Sequence, residues 1–214
     1  MTFTNIYFVR HGDKKPKKNY SDIEGQALHL TSLGAEQAQA TGKYLAKSRV
    51  YFERIITSPY IRCRQTAMLI ASVFGHTKVE CNTWLTERIL HREDLPERLA
   101  KENIARAHRE PDWAPVGGES LEVIRNRFGR GIQEYLHGGS CPTPRNLLVV
   151  THGRILQTWL GYEFEKPELL GEELIVQTCS LTVVRWTKNG SQLLNFNDTR
   201  HLAGLEKRRE VLTD

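Results

Sequence analysis

Residues 9 to 12 read Val-Arg-His-Gly directly after the apolar, strand-like run Asn5–Val9, and residues 150 to 153 repeat the theme as Val-Thr-His-Gly. Each histidine, His11 and His152, stands where a buried strand would end and where a glycine permits a sharp turn toward a ligand. In the first copy Arg10 adds a guanidinium, whose planar fork suits bidentate contact with an oxyanion. Two imidazoles and a guanidinium at neighbouring strand ends would form a pocket suited to holding a phosphoryl group on a histidine. A single Arg-His-Gly string arises by chance, and two His-Gly strand ends are also compatible with ordinary loop residues. The rest of the chain has to decide.

A third cluster, Ser58 to Thr66, reads Ser-Pro-Tyr-Ile-Arg-Cys-Arg-Gln-Thr. Serine caps helices and proline is pre-set for the first helical position, so the pattern predicts a helix from Ser58 to about Phe74. With Ser58 as the cap, Arg62 lies one turn in, on the face of Ser58 and Thr66. The helix N-terminus supplies partial positive charge and free amides, and Arg62 adds a full charge beside them. Arg64 reads as a solvated cation on an exposed face.

The elements that must position these groups follow from hydrophobic pattern and turn signals. Strands are expected at Asn5–Val9, Arg54–Thr57, Val79–Asn82 and Asn146–Val150. Helices are expected from the cap Thr31 to about Lys47, from Ser58, from Glu119 to Leu136, and from Gly153 to Leu160. Glu119 and Ser120 read as cap residues. Ser180–Trp186 and Gln192–Phe196 read as a hairpin about Asn189-Gly190. Strands alternate with helices to about residue 160. That predicts an α/β fold: a three-layer sandwich with a mainly parallel central sheet and an antiparallel edge element. Ligands gather at the carboxyl ends of such sheets, where Arg10, His11, Ser58 and His152 all fall.

Length and composition bound the function. At 214 residues one domain is the default. A hydrophobic content of 39% and a charged content of 26% fit a soluble globular chain. Met1 to Arg10 shows no leader pattern and no apolar run is long enough to span a membrane, so a cytoplasmic protein is expected. Cys63, Cys81, Cys141 and Cys179 form no close pair and read as reduced, mostly buried thiols; no Cys-x-x-Cys or His-x-x-x-His spacing suggests a metal, and no cofactor is expected. The net charge of +5, from 30 basic and 25 acidic residues, fits an anionic small molecule. No nucleic-acid module is present, no membrane contact is expected, and the oligomeric state is open. Lys14, Lys15, Lys17 and Lys18 around Pro16 read as a loop, or as a rim that attracts a polyanion.

Taken in order, the motifs resemble the histidine phosphatase superfamily, in the branch of the cofactor-dependent phosphoglycerate mutases and their phosphatase relatives. The matching positions are Val9-Arg10-His11-Gly12, Leu30-Thr31 with Gly34, Gln37 and Ala38, and Ser58 with Arg62, Gln65 and Thr66. They continue with Leu85-x-Glu87, Gly118-Glu119-Ser120, Val150-Thr151-His152-Gly153 and Asn197 to Leu202. The resemblance implies a phosphoglycerate mutase-like fold, with His11 as the nucleophile that becomes phosphohistidine. It implies a phosphate pocket of Arg10, Arg62 and His152, lined by Ser58 and Gly153, and Glu87 as proton donor. A phosphorylated small molecule is the implied substrate.

The chain also departs from the pattern. A small hydroxyl residue and an asparagine expected after the histidine-glycine pair are Lys14 and Lys17, and Asn19 is the candidate to supply the missing amide. The segment between Glu87 and Gly117 is short for a phosphoglycerate mutase, which favours phosphatase over mutase. Phosphoglycerate mutase-type phosphotransfer remains an alternative, as does a non-catalytic phospho-ligand binder in which Lys14 and Lys17 trap phosphate. Residues 88–118, with Arg88, His91, Arg92, Arg98, Arg106, Arg109 and Trp113, are expected to cap the site.

Overall fold

The computed structural model describes residues 3–15, 26–75, 78–89, 98–99, 102–103, 106, 110, 112–137, 145–170 and 174–205. Among these, six strands form one sheet: Phe3–Arg10 (β1), Arg54–Thr57 (β2), Val79–Cys81 (β3), Arg145–Thr151 (β4), Leu181–Thr187 (β5) and Gly190–Asp198 (β6), in the order β3-β2-β4-β1-β5-β6. β3, β2, β4 and β1 run parallel, whereas β5 pairs antiparallel with β1 and β6 forms the antiparallel edge. Helices Ser32–Lys47 (α1), Ile61–Val73 (α2), Leu121–His137 (α3) and Gly153–Glu163 (α4) cover the two faces.

The alternation of side chains along a strand assigns those faces. Ile6 and Phe8 of β1 and Leu147 and Val149 of β4 join Phe128, Leu156 and Trp159 in one core. Val9, Leu148 and Val150 join Leu45, Ile55, Cys63 and Ile70 in the other. Two cores on opposite sides of one sheet define the expected three layers. The middles of the central strands, Ile6–Val9 in β1 and Leu147–Val150 in β4, are unbroken apolar runs because both their faces are covered.

Element boundaries depart from expectation in a few places. α2 begins at Ile61 with Tyr60 as its N-cap, not at Ser58, and Tyr60 makes no side-chain cap bond. The reason is the sheet: Ser58 N still donates to Val150 O (3.0 Å), which keeps Ser58 on the β2 ladder. Ser120 does cap α3, its Oγ accepting from Val123 N, but Glu119 turns instead to Arg127. The hairpin turns at Lys188-Asn189, one residue early, with Gly190 (φ 121) opening β6. α4 runs on to Glu163. Thr31 caps α1 as expected, accepting from Gly34 N at 3.0 Å.

Only parts of the segment expected to cap the site are described; there Arg106 lies 4.6 Å from the Trp113 ring centroid. Lys17, Asn19, His91, Arg92, Arg109 and Cys141 lie outside the described residues. No described helix is long and apolar enough to cross a membrane.

Candidate active site

Register brings the two histidine motifs together. Arg10 pairs with Thr151 across β1 and β4, and Thr57 pairs with Val150 across β2 and β4, so Arg10-His11, Ser58 and His152 leave the sheet side by side. The rings of His11 and His152 lie 5.4 Å apart, centroid to centroid.

His11 is 2% exposed, and its Nδ1 lies 2.8 Å from Gly12 O. A carbonyl only accepts, so Nδ1 carries the proton and Nε2 keeps its lone pair. Burial first, then the charges of Arg62, Arg10 and Lys14, hold the His11 pKa well below the ordinary imidazole value, against the opposing Gly12 bond. Gly12 is needed here: a Cβ on it would stand 2.5 Å from Gly34 O, and one on Gly34 would stand 2.0 Å from Asp13 O. The turn after His11 thus lies backbone to backbone against the start of α1. Thr66 Oγ1 accepts from Gly12 N (3.0 Å), Gln37 Oε1 accepts from Asp13 N (2.9 Å), and Thr31 Oγ1 donates to Asp13 Oδ2 (2.7 Å).

His152 is the N-cap of α4 and is fully buried. Arg62 Nη2 donates to its Nδ1 at 2.9 Å, so Nε2 carries the proton and donates to Ser58 Oγ at 2.9 Å. Ser58 therefore enters the site as the partner of His152 and not as a helix cap. Burial, then Arg62, His11 and Arg10, keep the His152 pKa well below the ordinary value. Cys63 packs against the same ring, its Sγ 3.5 Å from Nε2, and burial pushes its thiol pKa up, so it stays protonated. Arg64 is exposed, as expected.

Arg10 donates through Nη1 to Val176 O, and its Nε is buried with no hydrogen-bond partner among the described residues. That leaves a charged donor suited to an oxyanion. A Cβ on Gly153 would come within 3.2 Å of Arg10 Cδ and Nε, so glycine at this position lets the side chain lie against the start of α4. Glu87 is half-buried, and its Oε1 accepts from Arg88 N (3.1 Å) and from Ile155 N (3.2 Å) in the first turn of α4. Its charge is felt at Arg10. The structure thus gathers Arg10, His11, Ser58, Arg62, Glu87, His152 and Gly153.

A cleft of about 590 Å³ opens beside them, lined by Arg10, His11, Asp13, Lys14, Thr31, Ile175, Gln177 and Thr178. Its far wall is stapled by Asn197, which accepts from Gln177 N (2.7 Å) and donates to Ile175 O (3.0 Å) from a backbone at φ 53. Asn197 carries a sequence signal as the start of the last motif. Ile175, Gln177 and Thr178 carry none, since they lie in an irregular segment. Among the described residues no group of three or more His, Cys, Asp or Glu side chains is arranged to hold a metal ion.

Two strand-end histidines thus stand among arginines at the carboxyl edge of a three-layer α/β sheet. Residues 6–199 match the histidine phosphatase superfamily (branch 1), and the chain belongs to that family. It is an enzyme of this superfamily. A broad-specificity phosphatase of Saccharomyces cerevisiae is 27% identical over 212 residues, 92% of this chain and 86% of that protein. A 2,3-bisphosphoglycerate-dependent phosphoglycerate mutase of Rhizobium meliloti is 34% identical over 164 residues, 72% of this chain and 76% of its own length. The fold is shared with a mycobacterial glucosyl-3-phosphoglycerate phosphatase (TM-score 0.75, 21% identity, 92% of this chain and 100% of that one). A phosphoglycerate mutase from Bacillus anthracis shares it equally (TM-score 0.75, 18% identity, 96% and 97%).

Proposed function

We propose that the chain hydrolyses small phosphomonoesters, without a metal, through a phosphohistidine on His11. The observation that carries this reading is the Nδ1–Gly12 O bond, which with burial and two neighbouring arginines leaves His11 Nε2 unprotonated beside the cleft. Nε2 attacks phosphorus and the P–O ester bond breaks. The charge spread over the equatorial oxygens is met by Arg10 and Arg62 and by the first turn of α4. The leaving oxygen takes a proton from the carboxyl of Glu87. The resulting carboxylate then accepts a proton from water as the water attacks the phosphohistidine, and free phosphate and His11 are restored.

Similarity to the Rhizobium meliloti mutase favours a second reading, phosphotransfer between substrate positions. Purified protein in excess chelator, given an aryl phosphate and then a phosphoglycerate, separates them. Phosphate release from both, faster than any isomer interconversion, is expected. Loss of activity in chelator with recovery on a divalent ion contradicts the metal-free reaction, and interconversion outpacing release selects the mutase.

A further inference from the structure

Glu87 sits on a strip of chain with no regular element of its own. The strip Trp84 to Ile89 begins inside the short 3-10 turn Thr83–Leu85 and runs on without regular structure, so many of its backbone polar groups need partners from elsewhere. Glu119, just ahead of α3, and Arg127, in its second turn, partner four of them, and Thr151 Oγ1 of β4 donates to Leu85 O at 2.9 Å. Arg127 Nη1 donates to Trp84 O (2.7 Å), Thr86 O (3.1 Å) and Thr86 Oγ1 (3.2 Å), and Nη2 donates to Thr86 O (3.2 Å). The same guanidinium makes a two-pronged pair with Glu119, Nε to Oε1 at 2.9 Å and Nη2 to Oε2 at 3.0 Å. Glu119 closes the bracket on the other side of Glu87. Its Oε2 accepts from Ile89 N (3.3 Å), its backbone N donates to Ile89 O (2.9 Å), and its carbonyl accepts from Arg88 Nε (2.8 Å).

We propose that Glu119 and Arg127 form a positioning pair for Glu87: they fix where its carboxyl stands relative to the leaving oxygen. The inference rests on the proposed proton-donor role of Glu87. The pair is not an ordinary surface ion pair, for the side chains of Arg127 and Glu119 are 20% and 16% exposed, against 77% and 55% for Arg98 and Glu102. Its geometry also demands arginine. A lysine keeps the charge but has no planar fork to grip a carboxylate and two carbonyls at once. Arg127 also lies within electrostatic reach of His152, whose lowered pKa is due first to burial and to Arg62.

The test compares Arg127→Lys and Glu119→Gln with Glu87→Gln on a series of alkyl and aryl phosphates. Removing the donor proton in Glu87→Gln should cost alkyl phosphates about 10²–10⁴-fold in kcat/KM, and aryl phosphates less, because their leaving groups need less protonation. A displaced donor should act in the same pattern. Arg127→Lys is expected to lose roughly 10- to 100-fold in kcat/KM, which reports the step that expels the leaving group and not the later hydrolysis of the phosphohistidine, on alkyl phosphates and less than about 3-fold on p-nitrophenyl phosphate. Either change should cost little more when added to Glu87→Gln. If Arg127→Lys fails to fold, Glu119→Gln carries the same comparison. Equal losses across all leaving groups, full additivity with Glu87→Gln, or no loss at all would overturn the proposal. A Glu87→Gln variant with no leaving-group dependence removes the donor reading itself, and the positioning role falls with it; that result is separable from the others because it appears in the Glu87 variant alone.

Discussion

Two buried imidazoles beside two arginines can remain neutral only at a cost that grows as the solution becomes acidic. For His11 and His152 alike, burial is the largest cause of the lowered pKa, followed by Arg62. Below the ordinary imidazole pKa of about 6.5, the unfolded chain binds protons at these positions that the folded chain refuses. Their contribution to stability is therefore complete above that value. It falls with pH below it, by up to ~1.4 kcal/mol per pH unit for each histidine. Denaturant unfolding at about pH 7.5 and about pH 5.5 measures it, since His11→Ala should lose less stability between the two than the wild type. Identical losses would mean that His11 is not held neutral by the fold. At this scale much of the site was legible: Arg10, His11, Arg62 and His152 sit in motifs whose residue types already imply an oxyanion. Ser58 was legible as a site residue but not in its role. Its bond to His152 depends on the register of β2 against β4, which local pattern does not carry.

Within the elements, one helix makes two opposite predictions. Gly129 and Gly131 both lie in α3. A Cβ on Gly129 meets nothing closer than Trp159 Nε1 at 4.0 Å, whereas one on Gly131 would stand 2.2 Å from Trp84 Cδ2. Gly129→Ala should stabilise the protein by up to ~1 kcal/mol, through helix propensity alone. Gly131→Ala should cost about 1–3 kcal/mol and displace the indole that begins the strip carrying Glu87. Urea midpoints read both, and a stabilised Gly131→Ala would contradict the packing of α3 on Trp84. Strands β1 and β4 were legible because strands covered on both faces are apolar runs. The start of α2 was not, because Ser-Pro is a good local helix signal that the sheet overrides by keeping the Ser58 amide. Nor was the double use of Glu119: a carboxylate just ahead of a helix reads as a cap residue, and its partner Arg127 lies two turns further on.

For the molecule as a whole, alternating strands and helices made the three-layer class legible, and the hairpin made the antiparallel edge legible. Strand order was not. The pairing of β4 between β2 and β1 is a long-range choice, and it alone sets His152 beside His11 and Ser58. The wall of Ile175, Gln177 and Thr178 is of the same kind, since Arg10 and Asn197 hold it across the sheet. All of this geometry converges on one atom, the unprotonated Nε2 of His11. Brief reaction with labelled phosphomonoester, acid-free quenching and peptide mapping tests it most directly. Alkali-stable, acid-labile phosphate is expected on Nε2 of His11, formed and discharged fast enough to explain turnover, and absent from His11→Ala, which should also be inactive on every substrate. Turnover with no label on His11, or an active His11→Ala, would contradict it.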